Sequence, residues 1–482
     1  MQFNSYEFIL YFLPVVVLLY FLVNKIRPVF GKLVLIAASI LFYASGREEM
    51  LIYLGISILV NYGSAWAIRR WKIRNRLLMV LPIVVNVGLL LYFKYTGFLT
   101  ENLGLLLGRG FALKEIILPL GISFYTFQQI AYIVAIESEQ LCEVSLIDYL
   151  CYILYFPKLV MGPITDPVEF ISQLNDENRK RANLTNIAVG VKLFSLGLVK
   201  KALIADTFAK TVAWAYANLE MTTSMDCILL MLFYTFEIYF DFSGYSDMAV
   251  GVSALFNIDL PMNFDSPYKA VSIRDFWKRW HISLTKFLTR YIYIPLGGSR
   301  KGALFTYLNT MIVFLVSGLW HGANWTFLLW GLLHGLLSCF DRGLEKQEEK
   351  VFLPIRWLCT FCVVSVLWLL FSAPSIGEWK NILVRILCMQ NTMVSDGMIA
   401  SFQLAESHFL YHLFRLEAWS AVIRGFNMMA FILLACFLCF VPENNYRRKD
   451  RLTFGSMLLA AVSFLWGLLC LGAESTFVYF GF

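Results

Sequence analysis

The sequence is poor in charged residues. Only 15% of its 482 residues are Asp, Glu, Lys or Arg, and 59% are hydrophobic, whereas roughly 25% of the residues in soluble domains are charged. A soluble fold of this length would need more polar surface to cover its core. Apolar runs close to the roughly 20 residues that cross the hydrocarbon layer recur along the chain. The composition therefore predicts an all-α, polytopic membrane protein.

The sequence also lacks the motifs of several enzyme classes. It contains no glycine-rich phosphate loop, no serine-hydrolase elbow and no paired-carboxylate hydrolase pattern, which argues against nucleotide hydrolysis. A secretory signal is not evident, because the apolar run Tyr6–Val23 has no basic region before it and no small-residue cleavage site after it. We expect this run to be a retained first span.

Cysteine usage does not indicate a disulfide framework or a metal site. Most of the ten cysteines lie inside apolar segments, where a free cysteine behaves as a small apolar residue. The pairs Cys359/Cys362 and Cys436/Cys439 have metal-like spacing, but no histidine is near either pair in the sequence. We expect packing roles for them and no bound metal.

The excess of basic residues does not indicate nucleic-acid binding. The 40 Lys and Arg outnumber the 33 Asp and Glu, which gives a net charge of +7. The basic residues cluster between apolar runs, near residues 25–32, 69–76, 342–350 and 447–451. Because positive residues favour the cytoplasmic side of a membrane, this distribution predicts that the N- and C-termini are both extracytoplasmic.

The apolar runs give a set of candidate spans in one domain that covers residues 1–482. Several are short or interrupted by Gly or Pro, and such segments are tolerated at membrane depth where they are buried in protein. We expect about 11 transmembrane helices, plus re-entrant and amphipathic helices. The candidates are 6–24, 31–46, 50–68, 77–95, 117–136, 147–163, 185–204, 227–240, 242–258, 303–318, 323–340, 353–373, 417–441 and 453–472.

A basic, aromatic-rich segment interrupts the apolar pattern between residues 263 and 301. From Ser272 to Tyr293 its apolar residues recur at three- and four-residue steps, among basic residues that include Lys278 and Arg279. This pattern predicts a basic amphipathic helix on the cytoplasmic leaflet. The same charges would also attract an anionic acyl donor to an entrance beside the helix.

The chain has only five histidines, and His321 stands out among them. It lies between two apolar segments and is flanked by Gly318 and Gly322, so that a substrate or another backbone could approach the imidazole closely. Ionisable groups at membrane depth are costly and often functional. His321 is therefore either a general base toward a hydroxyl group or a hydrogen-bonded packing residue, and sequence physics alone favours neither.

The other four histidines favour simpler interpretations. His281 falls on the predicted amphipathic helix, which indicates an interfacial residue with a wet ring edge. His334 lies in an apolar run and is expected to pack between helices. His408 and His412 have the i, i+4 spacing of metal-binding pairs, but no third ligand is evident.

Acidic residues also occur inside an apolar region. Glu237, Asp241 and Asp247 must find partners or line water there. They could pair with arginines of the amphipathic segment or line an acceptor channel. A second polar stretch, Gly121–Gln129, is expected to tie helices together through hydrogen bonds.

Taken together, the chain resembles the membrane-bound O-acyltransferase family, and within it the branch that O-acetylates alginate. The matching pieces follow the family's order over most of the chain. They are Gly121–Gln128, Tyr155–Pro163, Tyr239–Ala249, Asn263–Tyr268, Arg274–Leu284, Tyr293–Gly298 and Ser317–Trp325.

The resemblance implies tilted helices around a central funnel, with a catalytic segment at about residues 233–340. It implies that His321 and His281 are catalytic, that the donor is cytoplasmic acetyl-CoA or an acylated carrier, and that no cofactor is tightly bound. The implied acceptor is an extracellular polysaccharide, reached with the help of an extracytoplasmic acetyltransferase or esterase-like partner. We further expect donor or substrate contacts from Trp320, Asn324, Lys278, Arg279 and Asp241, and membrane lipid around the chain.

Three alternatives stay open at this point. Within the family, the chain could transfer D-alanine toward teichoic acid from a carrier protein. Outside it, a secondary transporter would form no ester, although such proteins commonly have repeated halves, and none is evident here. A passive membrane scaffold for an extracellular enzyme would not need its histidines.

Overall fold

The computed structural model describes residues 1–46, 48–71, 76–110, 116–141, 144–345, 350–404, 413–472 and 477. Throughout these ranges the regular structure is helical, which confirms the predicted all-α class. His408 and His412 lie outside the described residues, so the metal-pair interpretation stays a prediction.

Twenty α-helices account for most of the described chain, and three π-helical turns occur at Glu7–Phe12, Lys200–Ala205 and Thr289–Tyr293. In chain order the α-helices are α1 Leu13–Asn24, α2 Pro28–Ala44, α3 Met50–Trp71, α4 Arg76–Leu107, α5 Ile122–Glu137, α6 Leu146–Leu154, α7 Phe156–Leu159, α8 Pro167–Asn175, α9 Leu184–Val199, α10 Asp206–Ala217, α11 Ser224–Leu255, α12 Ile273–Arg279, α13 Ile282–Leu288, α14 Ala303–His321, α15 Trp325–Gly343, α16 Leu353–Ser372, α17 Ile376–Cys388, α18 Asp396–Ala400, α19 Ser420–Phe440 and α20 Phe454–Leu469.

Seven helical segments within the described ranges are long and apolar enough to cross a membrane. Two shorter apolar helices, α2 and α20, accompany them. This confirms a multi-pass membrane architecture, while the figure of about 11 crossings stays a prediction. The seven are Glu7–Asn24, Met50–Trp71, Leu77–Leu107, Ser224–Leu255, Ala303–His321, Leu353–Ser372 and Ser420–Phe440.

Two of the expected span boundaries were wrong. The candidates 227–240 and 242–258 form one helix, α11, because the buried Asp241 between them is ion-paired and does not interrupt it. The candidate 147–163 is instead divided at Tyr155, where α6 ends and the four-residue α7 begins. Pro157 lies in the first turn of α7, a position that proline tolerates because no intrahelical donor is lost there.

The described residues form two compact units, the first made of Met1–Phe194 and Met248–Pro261. Buried polar side chains cross-link its helices. The Gln129 amide donates to Ser57 Oγ at 3.2 Å and accepts from Tyr149 OH at 2.8 Å, which joins α5 to α3 and α6. This confirms that the polar stretch from Gly121 ties helices together.

The second unit comprises Ser195–Asp247 and Met262–Phe482 and contains every candidate site residue that the structure describes. Its candidate span in α11 is 83% buried within the protein, against 22–39% for the other six. Helices α14 and α15 form a hairpin in which glycines replace side chains. A Cβ on Gly318 would overlap the Phe327 carbonyl oxygen, and one on Gly331 would overlap that of Phe314.

We predict that Gly318→Ala destabilises the protein. The methyl group has no room between the two backbones, and overpacking of this kind typically costs about 1–3 kcal/mol. Thermal unfolding of the purified protein in detergent measures the effect. Gly425→Ala is the matched control, because a Cβ there meets nothing within 4 Å in α19. Equal unfolding temperatures for both variants would contradict the close contact.

Candidate active site

His321 is the last residue of α14 and is almost completely buried, with 3% of its surface exposed. Three aromatic rings surround the imidazole in edge-on arrangements. Their centroids lie at 4.9 Å for Trp320 and at 5.2 Å for both Trp330 and Phe371. An imidazole in such a dry, apolar surrounding interacts strongly with any charge that develops beside it.

The glycines beside His321 make room for other parts of the protein. Gly318 lies against the backbone of α15, and a Cβ on Gly322 would overlap the Phe327 ring. Of the two explanations that the sequence left open for these glycines, the structure therefore supports close approach of another protein segment. They position His321 at the turn of the hairpin.

His281 is not the interfacial residue that the sequence predicted. The expected continuous amphipathic helix is broken into α12 and α13, and His281 lies at the break with φ +43°. Its ring is fully buried and contacts Phe242 at 4.8 Å and Trp320 at 6.1 Å. Because the break turns this residue inward, one indole, that of Trp320, contacts both histidines.

One side chain that sequence reasoning missed holds His281. Asn263 Oδ1 lies 3.2 Å from His281 Nδ1, whereas His281 Nε2 is buried without a hydrogen-bond partner in the structure. Burial lowers the pKa of His281 to about 3, so the ring is neutral at physiological pH. The available signal was that Asn263 opens one of the motifs of the family resemblance.

A cavity of about 260 Å³ lies between the α12–α13 segment and the α14–α15 hairpin. Thr310 and Ser317 both line it, so it extends about 10 Å along α14. Ser317 precedes His321 by one helical turn. The cavity therefore ends close to the histidine.

The opposite part of the cavity is basic. Arg274, Lys278 and Arg342 line it, and none of its lining residues is acidic, although the Arg274 guanidinium lies 3.1 Å from the carboxylate of Glu345, which is not among the lining residues. Ser338 adds a buried hydroxyl oxygen without a hydrogen-bond partner in the structure. Apolar walls with cationic groups at one end suit an anionic ligand that has an uncharged arm.

Proteins of known family are similar to this chain over most of its length. The model of MBOAT, the membrane-bound O-acyltransferase family, matches residues 134–376. A peptidoglycan O-acetyltransferase of Helicobacter pylori is 34% identical over 100% of this chain and 97% of its own length. A probable alginate O-acetylase of Pseudomonas aeruginosa is 37% identical over 84% of this chain and 76% of its own. A teichoic acid D-alanyltransferase of Streptococcus thermophilus is 29% identical over 48% of this chain and 58% of its own.

The chain belongs to the membrane-bound O-acyltransferase family. This assignment confirms the resemblance drawn from the motifs, and it makes the protein an O-acyltransferase with several membrane crossings. The two alternatives outside the family, a transporter and a passive scaffold, transfer no acyl group and therefore do not agree with this assignment. The orientation of the termini stays a prediction.

In this O-acyltransferase the neighbours Lys278 and Arg279 have different surroundings. Lys278 is exposed and lines the cavity. Arg279 instead donates from Nε to the Asp275 carboxylate at 2.8 Å. Of the two basic residues expected to contact the donor, only Lys278 lines the cavity, and the donor contact stays a prediction.

Asn324 and His334 are engaged in local structure. The Asn324 side chain accepts a hydrogen bond from Thr326 N at 3.1 Å and so caps α15. The Trp277 indole donates to His334 Nδ1 at 3.2 Å, and His334 is fully buried, which confirms its packing role. Substrate binding by Asn324 stays a prediction.

Two of the three buried acids of α11, Asp241 and Asp247, pair with lysines rather than with arginines of the amphipathic segment, whereas Glu237 Oε2 is buried and has no hydrogen-bond partner among the described residues. Lys201 Nζ lies 2.6 Å from Asp241 and 2.7 Å from Asp206. The neighbouring Lys200 lies 2.7 Å from Asp247. Because these partners are far away in the sequence, the pairing could not be read from the local pattern. Asp241 is thus part of an ion-pair cluster, and its contact with substrate stays a prediction.

We predict that Lys201→Met destabilises the protein more than Asp241→Asn. Removal of the lysine leaves the buried Asp241 carboxylate and the partly exposed Asp206 carboxylate without the ammonium that they share, and breaking a buried pair in this way costs about 3–5 kcal/mol. In Asp241→Asn the lysine keeps Asp206. The midpoints of thermal unfolding in detergent test this order, and the reverse order would contradict the shared-cation arrangement.

Proposed function

We propose that this O-acyltransferase transfers an acetyl group from a cytoplasmic thioester to a hydroxyl group of an extracytoplasmic polysaccharide, with His321 as the general base. The observation that carries the proposal is a buried histidine one helical turn beyond an apolar cavity with a basic end. The names of two relatives that match most of the chain, a peptidoglycan O-acetyltransferase and a probable alginate O-acetylase, support an acetyl group and a glycan.

The donor in this proposal is acetyl-CoA or an acylated carrier. Its phosphates would interact with the cationic groups of Arg274, Lys278 and Arg342 through charge-assisted hydrogen bonds. The uncharged arm would follow the apolar walls toward Ser317. This orientation brings the thioester carbonyl to the end of the cavity nearest His321.

The chemistry balances without any further reactant. His321 takes the proton of the acceptor hydroxyl as its oxygen attacks the thioester carbonyl. The tetrahedral intermediate collapses, the C–S bond breaks, and the imidazolium returns the proton to the thiolate. The products are an ester and a free thiol. In the same site the neutral His281 accepts a hydrogen bond from a hydroxyl of the acceptor sugar through Nε2 and fixes its pose.

The acceptor is proposed as an alginate-like exopolysaccharide, and peptidoglycan is the second candidate. The match to a probable alginate O-acetylase supports the first candidate, and the match to a peptidoglycan O-acetyltransferase over the whole chain supports the second. D-alanyl transfer is the weaker alternative, since those relatives match only about half of the chain. Relay of the acetyl group through an extracytoplasmic acetyltransferase or esterase-like partner is the alternative to direct transfer to the sugar.

We expect His321→Ala to abolish acetylation, because loss of a general base typically lowers the rate about 10²–10⁴-fold. The ester content of exopolysaccharide and of peptidoglycan, each isolated from cells that express the wild type or the variant at equal levels, measures the loss. The fraction that loses acetate identifies the acceptor. Full acetylation by the variant would refute the role of His321, and D-alanyl esters in place of acetate would refute the proposed acyl group.

We further expect Lys278→Gln to raise the KM for acetyl-CoA by about 5–20-fold and to change kcat little, because a phosphate contact far from the reacting carbonyl contributes to binding in the ground and transition states alike. Lys286→Gln is the matched control: it removes the same charge from an exposed position in α13 that does not line the cavity. A similar KM for both variants would place the donor elsewhere.

A further inference from the structure

The Asn263 side chain joins three groups at a single oxygen atom. Besides His281 Nδ1, the Ser283 backbone N–H at 3.2 Å and the Ser283 hydroxyl at 2.8 Å meet Asn263 Oδ1. We propose that Asn263 is a positioning residue for His281, whose Nε2 it keeps as the hydrogen-bond acceptor toward the sugar hydroxyl. This inference rests on the proposed function, in which His281 contacts the acceptor.

The orientation of the Asn263 amide follows from the backbone of Ser283. A backbone N–H can only donate a hydrogen bond, so the amide atom that it meets must be the oxygen. This removes the ambiguity between the oxygen and the nitrogen of an asparagine side chain. The nitrogen, Nδ2, faces Ser246 Oγ at 3.5 Å.

The tautomer of His281 follows in turn. The same amide oxygen faces His281 Nδ1, and a carboxamide oxygen only accepts, so Nδ1 must carry the hydrogen. In a neutral imidazole the other nitrogen, Nε2, then has the lone pair. Since burial keeps this ring neutral, Nε2 is an acceptor throughout the physiological range of pH.

The backbone around Asn263 holds the arrangement in place. The Asn263 carbonyl accepts from Ile282 N at 2.9 Å, and Asp265 N donates to the Arg279 carbonyl at 2.9 Å. These two bonds flank His281, whose left-handed backbone is unfavourable for a residue with a Cβ. A strained conformation of this kind persists where the surroundings fix it, and here the ring lies buried against Phe242 and Trp320.

The first test reads the tautomer without any activity measurement. Full-length protein labelled with ¹⁵N-histidine is reconstituted in lipid, and the His281 signals are assigned by their loss in His281→Ala. We expect a protonated Nδ1 and an unprotonated Nε2 between pH 5 and 9, and a mixture of tautomers in Asn263→Ala. A protonated Nε2 in the wild type would overturn the proposal.

The second test is a double-mutant cycle on acetyl transfer. Asn263→Ala should lower kcat/KM for the acceptor by about 10–100-fold, the range found for residues that orient metal-binding histidines. In a His281→Ala background the same substitution should change nothing further. An equal loss in both backgrounds would mean that Asn263 supports only the fold.

Two more variants separate positioning from stability. Asn309→Ala removes another buried amide of the same unit, one that donates to the Gly298 carbonyl; it should leave the tautomer intact. Asn263→Asp keeps the acceptor oxygen and adds a negative charge that raises the pKa of His281. Compared with Asn263→Ala, this variant should recover part of the activity. As the pH falls, its activity should decline at a higher pH than that of the wild type. A pH profile equal to that of the wild type would contradict the contact between residue 263 and His281.

Failure of the inference and failure of the proposed function give different results. If wild-type protein forms no ester from an acetyl thioester, the proposed function is wrong, and the ¹⁵N spectra still decide whether Asn263 sets the tautomer. If ester forms but His281→Ala retains full activity, positioning of His281 has no catalytic consequence and the inference is wrong.

Discussion

The site depends on the close contact between the backbones of α14 and α15. Without side chains at Gly318 and Gly331 the two helices approach so closely that a single methyl group would overlap a carbonyl oxygen. This contact fixes the turn that carries His321 and brings Trp330 against its ring. It also forms one wall of the cavity that ends a helical turn before the histidine. If α14 and α15 were further apart, the same residues would not come together to form the site.

Beside this hairpin the imidazoles of His281 and His321 both contact the indole of Trp320, but the two imidazoles have otherwise different surroundings. His321 is enclosed by aromatic edges, whereas His281 has a hydrogen-bonded Nδ1 and an Nε2 that has no hydrogen-bond partner within the described part of the chain. Transfer of an acyl group to a sugar needs one group that accepts a proton and others that fix the nucleophile. The two environments match this division, and the dry surroundings strengthen both interactions.

The sequence predicted the elements that are local in the chain. Low charge and long apolar runs indicated a multi-pass helical protein, and the apolar flanks of His321 made this residue a candidate for catalysis. Lys278 was expected from the basic segment to contact the donor; it lines the cavity, and the contact itself stays a prediction. Each of these features depends on residues that are near one another in the sequence, where composition and periodicity carry information.

The missed features depend on contacts between distant segments. The periodic pattern predicted one helix over residues 272–293. It could not show the break at His281, because the side chain that stabilises this break is Asn263, which lies 18 residues earlier. The counter-charge of Asp241 is Lys201, 40 residues away, whereas arginines of the amphipathic segment, at similar separations in the sequence, were considered as partners. Arg342 completes the basic end of the cavity from the opposite helix of the hairpin. Such pairings arise from tertiary packing, which a local pattern does not specify.

In the proposed mechanism an acyl thioester reaches His321 through the cavity beside α14. A structure of the full-length protein with a thioether analogue of acetyl-CoA, which binds but cannot transfer its acyl group, would show where the donor lies. We expect its phosphates beside Arg274, Lys278 and Arg342, and its sulfur atom near Ser317 with the acyl carbon facing His321. An analogue bound on another face of the protein, with its sulfur remote from His321, would show that the donor does not use this cavity.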